Sequence, residues 1–342
     1  MRKGNHRRTV NIRHNVSVGL YENIYNTPTV VEALLFILII YFELKRLRKA
    51  LLFFVNKQKK EKKKIMKKAL LSLILVFALV VSLVACGGAK FDESKGEIVI
   101  GLECDYAPFN WTETTATNTN VPIYGQSGLY AEGYDIQMAR KIAADLGYTL
   151  VVKKIAWEGL IPALESGDID AIIAGMSPTE ERKESIDFTE PYYASEHVVI
   201  VKADGPFANA SRFTDFRGAN IVGQKGTVFA DLADQLAEAA GTTAMTPLAT
   251  VPLIVSGILL GDTDVTVVEK PVALGVCTNN PELKWIKLTD AFEVDPTDVI
   301  VSIGVRKVDN NLETKINQAL AKITSQEREN LMAQAVENSP QE

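Results

Sequence analysis

The stretch Leu164-Glu165-Ser166-Gly167-Asp168-Ile169-Asp170-Ala171 reads as a helix end, a glycine stop, a Gly-Asp-x-Asp turn and the start of an apolar strand. Ninety-four residues later Leu259-Leu260-Gly261-Asp262-Thr263-Asp264-Val265 repeats that order, an offset of about one small α/β lobe. Around the first copy, residues 97–101 read as a strand ending at glycine. Residues 134–146 read as a helix with Ile136, Ala139, Ile142, Ala143 and Leu146 on one face and Gly147 after it. A strand over 150–155, a helix over 157–166 and a strand over 171–174 complete this side. Residues 112–131, rich in Thr, Asn and Gly, read as a long loop or hairpin. Around the second copy the pattern predicts strand 219–223, helix 228–240, a helix near 253–260, strand 265–268 and helix 271–277. Strand 299–305 and helices 310–323 and 327–336 follow. Strands separated by helices of roughly 10–15 residues imply βαβ units and a largely parallel sheet, so the chain is read as two similar α/β lobes.

Charge divides the chain differently. Residues 1–85 carry 17 Lys and Arg against 4 Asp and Glu, a balance of +13, and residues 86–342 carry −18, which together give the net −5. A basic, apolar leader thus precedes an acidic body of 257 residues. An acidic body disfavours nucleic acid as a partner, because neutralising phosphates needs a basic face. A hydrophobic content of 47% argues against disorder.

Within the leader, the apolar run at residues 30–42 is broken by Glu32 and is shorter than the roughly 20 residues that span a bilayer. A second run begins at Met66 with Lys67 and Lys68, stays apolar from Ala69 to Val84, and ends at Cys86-Gly87-Gly88. A charged start, an apolar middle and a small-residue end are the marks of a secretory signal. Residues 66–85 are therefore read as a signal peptide and 86–96 as a polar tether. Residues 1–65 are either a basic cytoplasmic extension or an over-extended start, with translation beginning at Met66. An uncleaved membrane anchor is the alternative for the second run. Cys104 and Cys277 are read as free thiols, and no Cys-x-x-Cys or His cluster offers a metal site.

The stretch Ala174-Gly175-Met176-Ser177-Pro178-Thr179-Glu180-Glu181-Arg182 predicts a glycine turn and then a helix capped by Ser177, with Pro178 next and Glu180 three residues on. Free backbone N–H groups and the positive end of a helix dipole, with Arg182 one turn further, amount to an anion site sized for a carboxylate. The competing reading is a well-capped helix whose arginine pairs with Asp187 or Glu190.

Read in order, Gly101-Leu102-Glu103-Cys104-Asp105-Tyr106-Ala107-Pro108-Phe109, Gly133-Tyr134-Asp135, Leu160-Ile161-Pro162-Ala163-Leu164, Ser177-x-Thr179-x-x-Arg182 and Asp187-Phe188-Thr189-x-Pro191-Tyr192-Tyr193 resemble the bacterial solute-binding proteins of family 3. These are the substrate-binding components of polar amino-acid ABC importers, and the resemblance runs from about Gly96 to Val336. It implies a type II periplasmic-binding-protein fold, two Rossmann-like lobes joined by a two-strand hinge. Lobe 1 would comprise residues 97–198 and 299–338 and lobe 2 residues 199–298, with crossings near 197–201 and 298–301. Leu83-Val84-Ala85-Cys86 resembles a lipobox, which implies a lipid anchor on Cys86 at the extracytoplasmic face of the cell membrane.

Carried onto this chain, the resemblance implies that Arg182 and Ser177 hold a ligand carboxylate, assisted by backbone amides at Thr227 and Val228 after the Gln224-Lys225-Gly226 turn. Glu269 would take the ammonium, with the Gly175 carbonyl beside it; the alternative is an exposed acid next to Lys270. Tyr106 and Trp157 would sandwich the ligand side chain, although Trp157 taken by itself reads as core. Glu103 would meet the end of that side chain, which favours Arg, Lys or His, although glutamine-binding relatives also carry an acid there. The expectations are a monomer that captures an amino acid, needs no cofactor and hands its ligand to an ABC permease with its ATPase. The competing classes are an enzyme of the same fold, such as a dehydratase, and a ligand sensor for a separate receptor. A single body histidine, His197, with no adjacent nucleophile weighs against the enzyme.

Overall fold

The computed structural model describes residues 30–54 and 90–340, and these belong to two separate units, one within residues 1–86 and one within 87–342. In the first, helix α1 (Val30–Phe54) extends the apolar run well beyond Phe42. Among the described residues no helix is long and apolar enough to cross a membrane. Residues 66–85, read above as a signal peptide, Cys86 and the basic run before Met66 lie outside the described residues.

The second unit follows the predicted alternation closely. Its strands and helices are, in order, β1 (Glu97–Leu102), β2 (Asp105–Tyr106), β3 (Asn110–Glu113), β4 (Val121–Pro122), β5 (Tyr130–Glu132), α2 (Tyr134–Leu146), β6 (Thr149–Lys154), α3 (Leu160–Ser166), β7 (Ala171–Ile172), α4 (Glu180–Ser185), β8 (Asp187–Phe188), β9 (Tyr193–Ala194) and β10 (His197–Lys202). Then come α5 (Val228–Ala240), α6 (Val251–Leu260), β11 (Val265–Glu269), α7 (Lys270–Asn279), β12 (Leu283–Ile286), β13 (Ile300–Val301), β14 (Gly304–Val305), α8 (Asn310–Leu320) and α9 (Ser325–Glu337). The tether is shorter than expected. The Phe91 N–H already donates to Asp309 Oδ1 at 2.9 Å, and the Phe91 ring packs edge-on against Tyr148.

One sheet has the order β6-β1-β7-β14-β8 and another β11-β10-β12. The largely parallel expectation holds only for β6, β1 and β7. Strands β14 and β10 pair antiparallel with their neighbours. Each enters its lobe from the hinge instead of through a helical crossover, so nothing forces it parallel. The predicted strand over 219–223 reduces to one bridge, Ile221 to Val265.

At the hinge the first crossing falls a few residues before its expected place, while the second falls within residues 298–301. Strand β9 pairs with β13, Tyr193 opposite Val301 and Ala194 opposite Ile300. His197 and Val198, expected at the end of lobe 1, already belong to β10, the middle strand of the second sheet. The run 299–305 is not one strand. Val301 closes the hinge pair, Ser302 bonds Met176 through its backbone N–H, and β14 then joins the first sheet. Buried aliphatic residues on the strands (Ile98, Ile100, Val199 and Val267) and on the helices packed against them (Leu164 and Ile254) form the core that holds the loops at the strand ends in place.

Candidate functional site

Each lobe delivers loops from its strand ends to a narrow cavity between them. From the first sheet, the turn after β1 carries Glu103 and Tyr106, the turn before α3 carries Trp157, and the segment after β7 carries Gly175, Ser177 and Arg182. From the second lobe come Gln224, Thr227, Val228 and Phe229 at the start of α5. Eight of the nine expected residues therefore line one cavity; Glu269 stands behind Tyr106, whose hydroxyl bonds its carboxylate.

The two ends of the cavity differ in charge. At one end the Arg182 guanidinium donates to the Ser177 carbonyl at 2.8 Å and the Gly226 carbonyl of the other lobe at 3.2 Å. It lies 5.1 Å from the Trp157 ring centroid, and Trp157 Nε1 donates to the same Gly226 carbonyl at 2.7 Å. Arg182 pairs with neither Asp187 nor Glu190, so the competing ion-pair reading does not hold. Burial pushes its guanidinium down to about 10, opposed by Glu181, Asp298 and Asp231 nearby. The expected Ser177 cap is displaced: α4 begins at Glu180, and Thr179 accepts from the Arg182 N–H at 3.3 Å. Ser177 stays on the cavity wall, where its hydroxyl donates to the Asp298 carbonyl at 3.3 Å. Opposite, Thr227 caps the 13-residue helix α5, bringing that helix's N-terminal amides to the same end.

The other end is acidic. Glu103 is buried, accepting from Gln224 Nε2 of the facing lobe at 3.2 Å on both oxygens. Burial pushes its carboxyl up to about 7, against the lowering effect of the Gln224 bonds. Glu269 is also buried, not exposed beside Lys270, and burial raises it to about 7 against the Tyr106 bond. The Tyr106 ring stacks on Phe109 with centroids 5.4 Å apart and planes within 6°. Two buried acids with no salt bridge among the described residues make a place where a positive group is stabilised. Gln224 and Phe229 were not singled out from the sequence. The Gln224-Lys225-Gly226 turn was visible, but nothing in it marks Gln224 as the residue that crosses to Glu103. Cys104 and Cys277 are both free.

A two-lobed α/β body with a hinge and an interlobe cavity that is cationic at one end and acidic at the other defines a small-molecule binding protein. The chain belongs to the bacterial extracellular solute-binding proteins, family 3, whose model matches residues 98–335. It is 27% identical over 252 residues to the arginine-binding extracellular protein ArtP of Bacillus subtilis, covering 73% of this chain and 90% of that protein. It is also 27% identical to the B. subtilis ABC transporter glutamine-binding protein GlnH, covering 75% of this chain and 92% of the relative. Among solved structures, the amino acid ABC transporter substrate-binding protein AbpA of Streptococcus pneumoniae bound to L-arginine superposes with a TM-score of 0.61 at 26% identity. That superposition covers 72% of this chain and 97% of the other.

Proposed function

We propose that this protein captures a basic amino acid (arginine, lysine or histidine) outside the cytoplasm, tethered to the membrane by lipid on Cys86, and delivers it to an ABC permease. The observation that carries the reading is the polarity of the cavity, whose two ends match the two charges of an α-amino acid. Arg182 and the α5 amides take the carboxylate in a two-pronged contact. Glu269 and the Gly175 carbonyl take the ammonium, Tyr106 and Trp157 flank the side chain, and Glu103 meets its far end. The likeness to an arginine-binding relative and to an arginine-bound structure supports the basic class. One lobe is built on β1, β6, β7, β14 and β8 and the other on β11, β10 and β12, with the flexing point at β9 and β13. A ligand held from both sides favours closure by its differential affinity for the closed state. The protein acts by binding and release: the Ser177 hydroxyl faces a backbone carbonyl instead of a base.

The test is calorimetric titration of Arg182→Ala with L-arginine. Charge-assisted hydrogen bonds contribute about 1.5–3 kcal/mol each, so losing two weakens binding at least about a hundredfold while the protein still unfolds cooperatively. Unchanged affinity in the variant would overturn the assignment.

A further inference from the structure

On the first lobe's cavity loops two residues hold left-handed backbone: Gly175 at φ +60° and, without glycine's freedom, Cys104 at φ +54°. Both have their backbone N–H drawn into one buried network. The Cys104 N–H donates to Asn110 Oδ1 at 2.8 Å, and Asn110 Nδ2 donates to Asp135 Oδ2 at 2.8 Å. From the other side, the Gly175 N–H donates to the Tyr192 hydroxyl at 3.0 Å, and that hydroxyl donates to Asp135 Oδ1 at 2.6 Å. Cys104, Asn110, Asp135 and Tyr192 are all fully buried. Asp135 reaches this place because Gly133 lets the chain pass Phe109 closely, where a Cβ would lie 2.4 Å from the Phe109 carbonyl oxygen. None of the roles assigned above uses the Gly133-Tyr134-Asp135 motif. A carboxylate is the group that fits between an amide donor and a hydroxyl donor, because it only accepts.

We infer that Asp135 is a positioning residue for ligand binding. It touches no ligand itself, but through Asn110 and Tyr192 it locks both the Glu103-Cys104 turn and the Gly175 turn in their left-handed shapes. Tyr192 carries the lock to the hinge, because its backbone N–H donates to the Val301 carbonyl at 3.0 Å beside the β9–β13 pair. The acid that meets the ligand side chain and the carbonyl that meets its ammonium are thereby held by one group. Residues in sparsely populated backbone regions persist where their surroundings over-determine them, and such sites cluster at ligand clamps. This inference rests on the amino-acid-binding reading of the cavity.

The test exchanges donors and acceptors within the full chain. Asp135→Asn leaves one acceptor where two donors converge, so either the Asn110 amide or the Tyr192 hydroxyl loses its partner, and Asn110→Asp sets two carboxylates against each other. The double variant restores every donor–acceptor pair. Its carboxylate at position 110 accepts from the Cys104 N–H and from the amide at position 135, whose carbonyl in turn accepts from the Tyr192 hydroxyl. Each single variant, and Tyr192→Phe, is expected to weaken L-arginine binding about tenfold, as loss of a buried hydrogen bond does. The double variant regains most of that loss. Amide hydrogen exchange in the ligand-free protein provides a second readout, with slow exchange at Gly175 and Cys104 lost in Asp135→Asn and recovered in the double variant. Single variants that lose thermal stability but bind as the wild type does would overturn the positioning role, as would a double variant that recovers neither affinity nor protection. Should Asp135→Asn and Asn110→Asp not fold, Tyr192→Phe decides alone, because it removes only a hydroxyl. A wild-type protein that binds no amino acid would instead overturn the functional reading, and it is told apart by network protection that remains intact.

Discussion

Glu103 and Glu269 set the pH behaviour of the cavity. Burial raises both carboxyls from an ordinary value of 4.5 to about 7, so over that window the folded protein holds protons that the unfolded chain has released. Their contribution to stability is therefore full below about pH 4.5 and is lost as pH rises through about 7, the reverse of a salt-bridged carboxylate. A cationic ligand between them favours the ionised forms and expels those protons. Affinity for L-arginine should accordingly rise between about pH 6 and about pH 8, with proton release visible as a calorimetric heat that depends on the buffer's ionisation enthalpy. An affinity that is flat across this window, with no proton release, would show that the ligand's charge does not meet these acids.

The turn after β7 forms part of the cavity wall. Gly175 lies at φ +60°, and a Cβ there would stand 3.1 Å from Tyr106 Cε1 and 3.3 Å from Phe109 Cγ. Gly175→Ala should destabilise the fold by about 1–2 kcal/mol from the backbone alone and weaken ligand binding by displacing Tyr106. Chemical denaturation and calorimetry would read both effects, and wild-type values in each would contradict the role given to this turn. The helices that frame the site were legible in the sequence because their apolar period is complete and glycines stop them. The expected bounds 134–146 and 228–240 coincide with α2 and α5. The strand near Ile221 was overread because an apolar run shows burial but not whether a neighbouring strand supplies a ladder. The run 299–305 hid a change of sheet at Ser302, which depends on where the two lobes meet and not on local pattern. The charged and aromatic site positions, such as Arg182, Glu103 and Tyr106, came from motif order. Gln224, by contrast, acquires its role only when the second lobe brings it against Glu103.

At the scale of the molecule, part of the acidic excess of residues 86–342 lies at the mouth of the cavity. The small cavity adjoins a wider cleft of about 1540 Å³, counting the solvent at its mouth, where Glu158, Glu181, Asp231 and Asp298 surround Arg182. Such a mouth raises the local concentration of cations, while the single guanidinium inside demands a carboxylate. The pair between Lys225 and Glu158 crosses the lobes at 2.9 Å but is exposed on both sides, so it adds little to closure. The contacts that count are buried: Gln224 with Glu103, Tyr106 with Glu269, and Arg182 with Gly226. The far end of the chain also reaches across, with Asn279 Nδ2 donating to the Ser339 carbonyl at 2.8 Å. The function of the cavity therefore turns on whether one small molecule with both charges occupies it. The most direct measurement is calorimetric titration of the full chain with L-arginine beside agmatine, which has the same guanidinium and amine but no carboxylate. Micromolar or tighter binding of L-arginine, roughly −8 kcal/mol, with binding of agmatine at least about a hundredfold weaker, is the expected result. Equal binding of the two, or no heat from either, would contradict it.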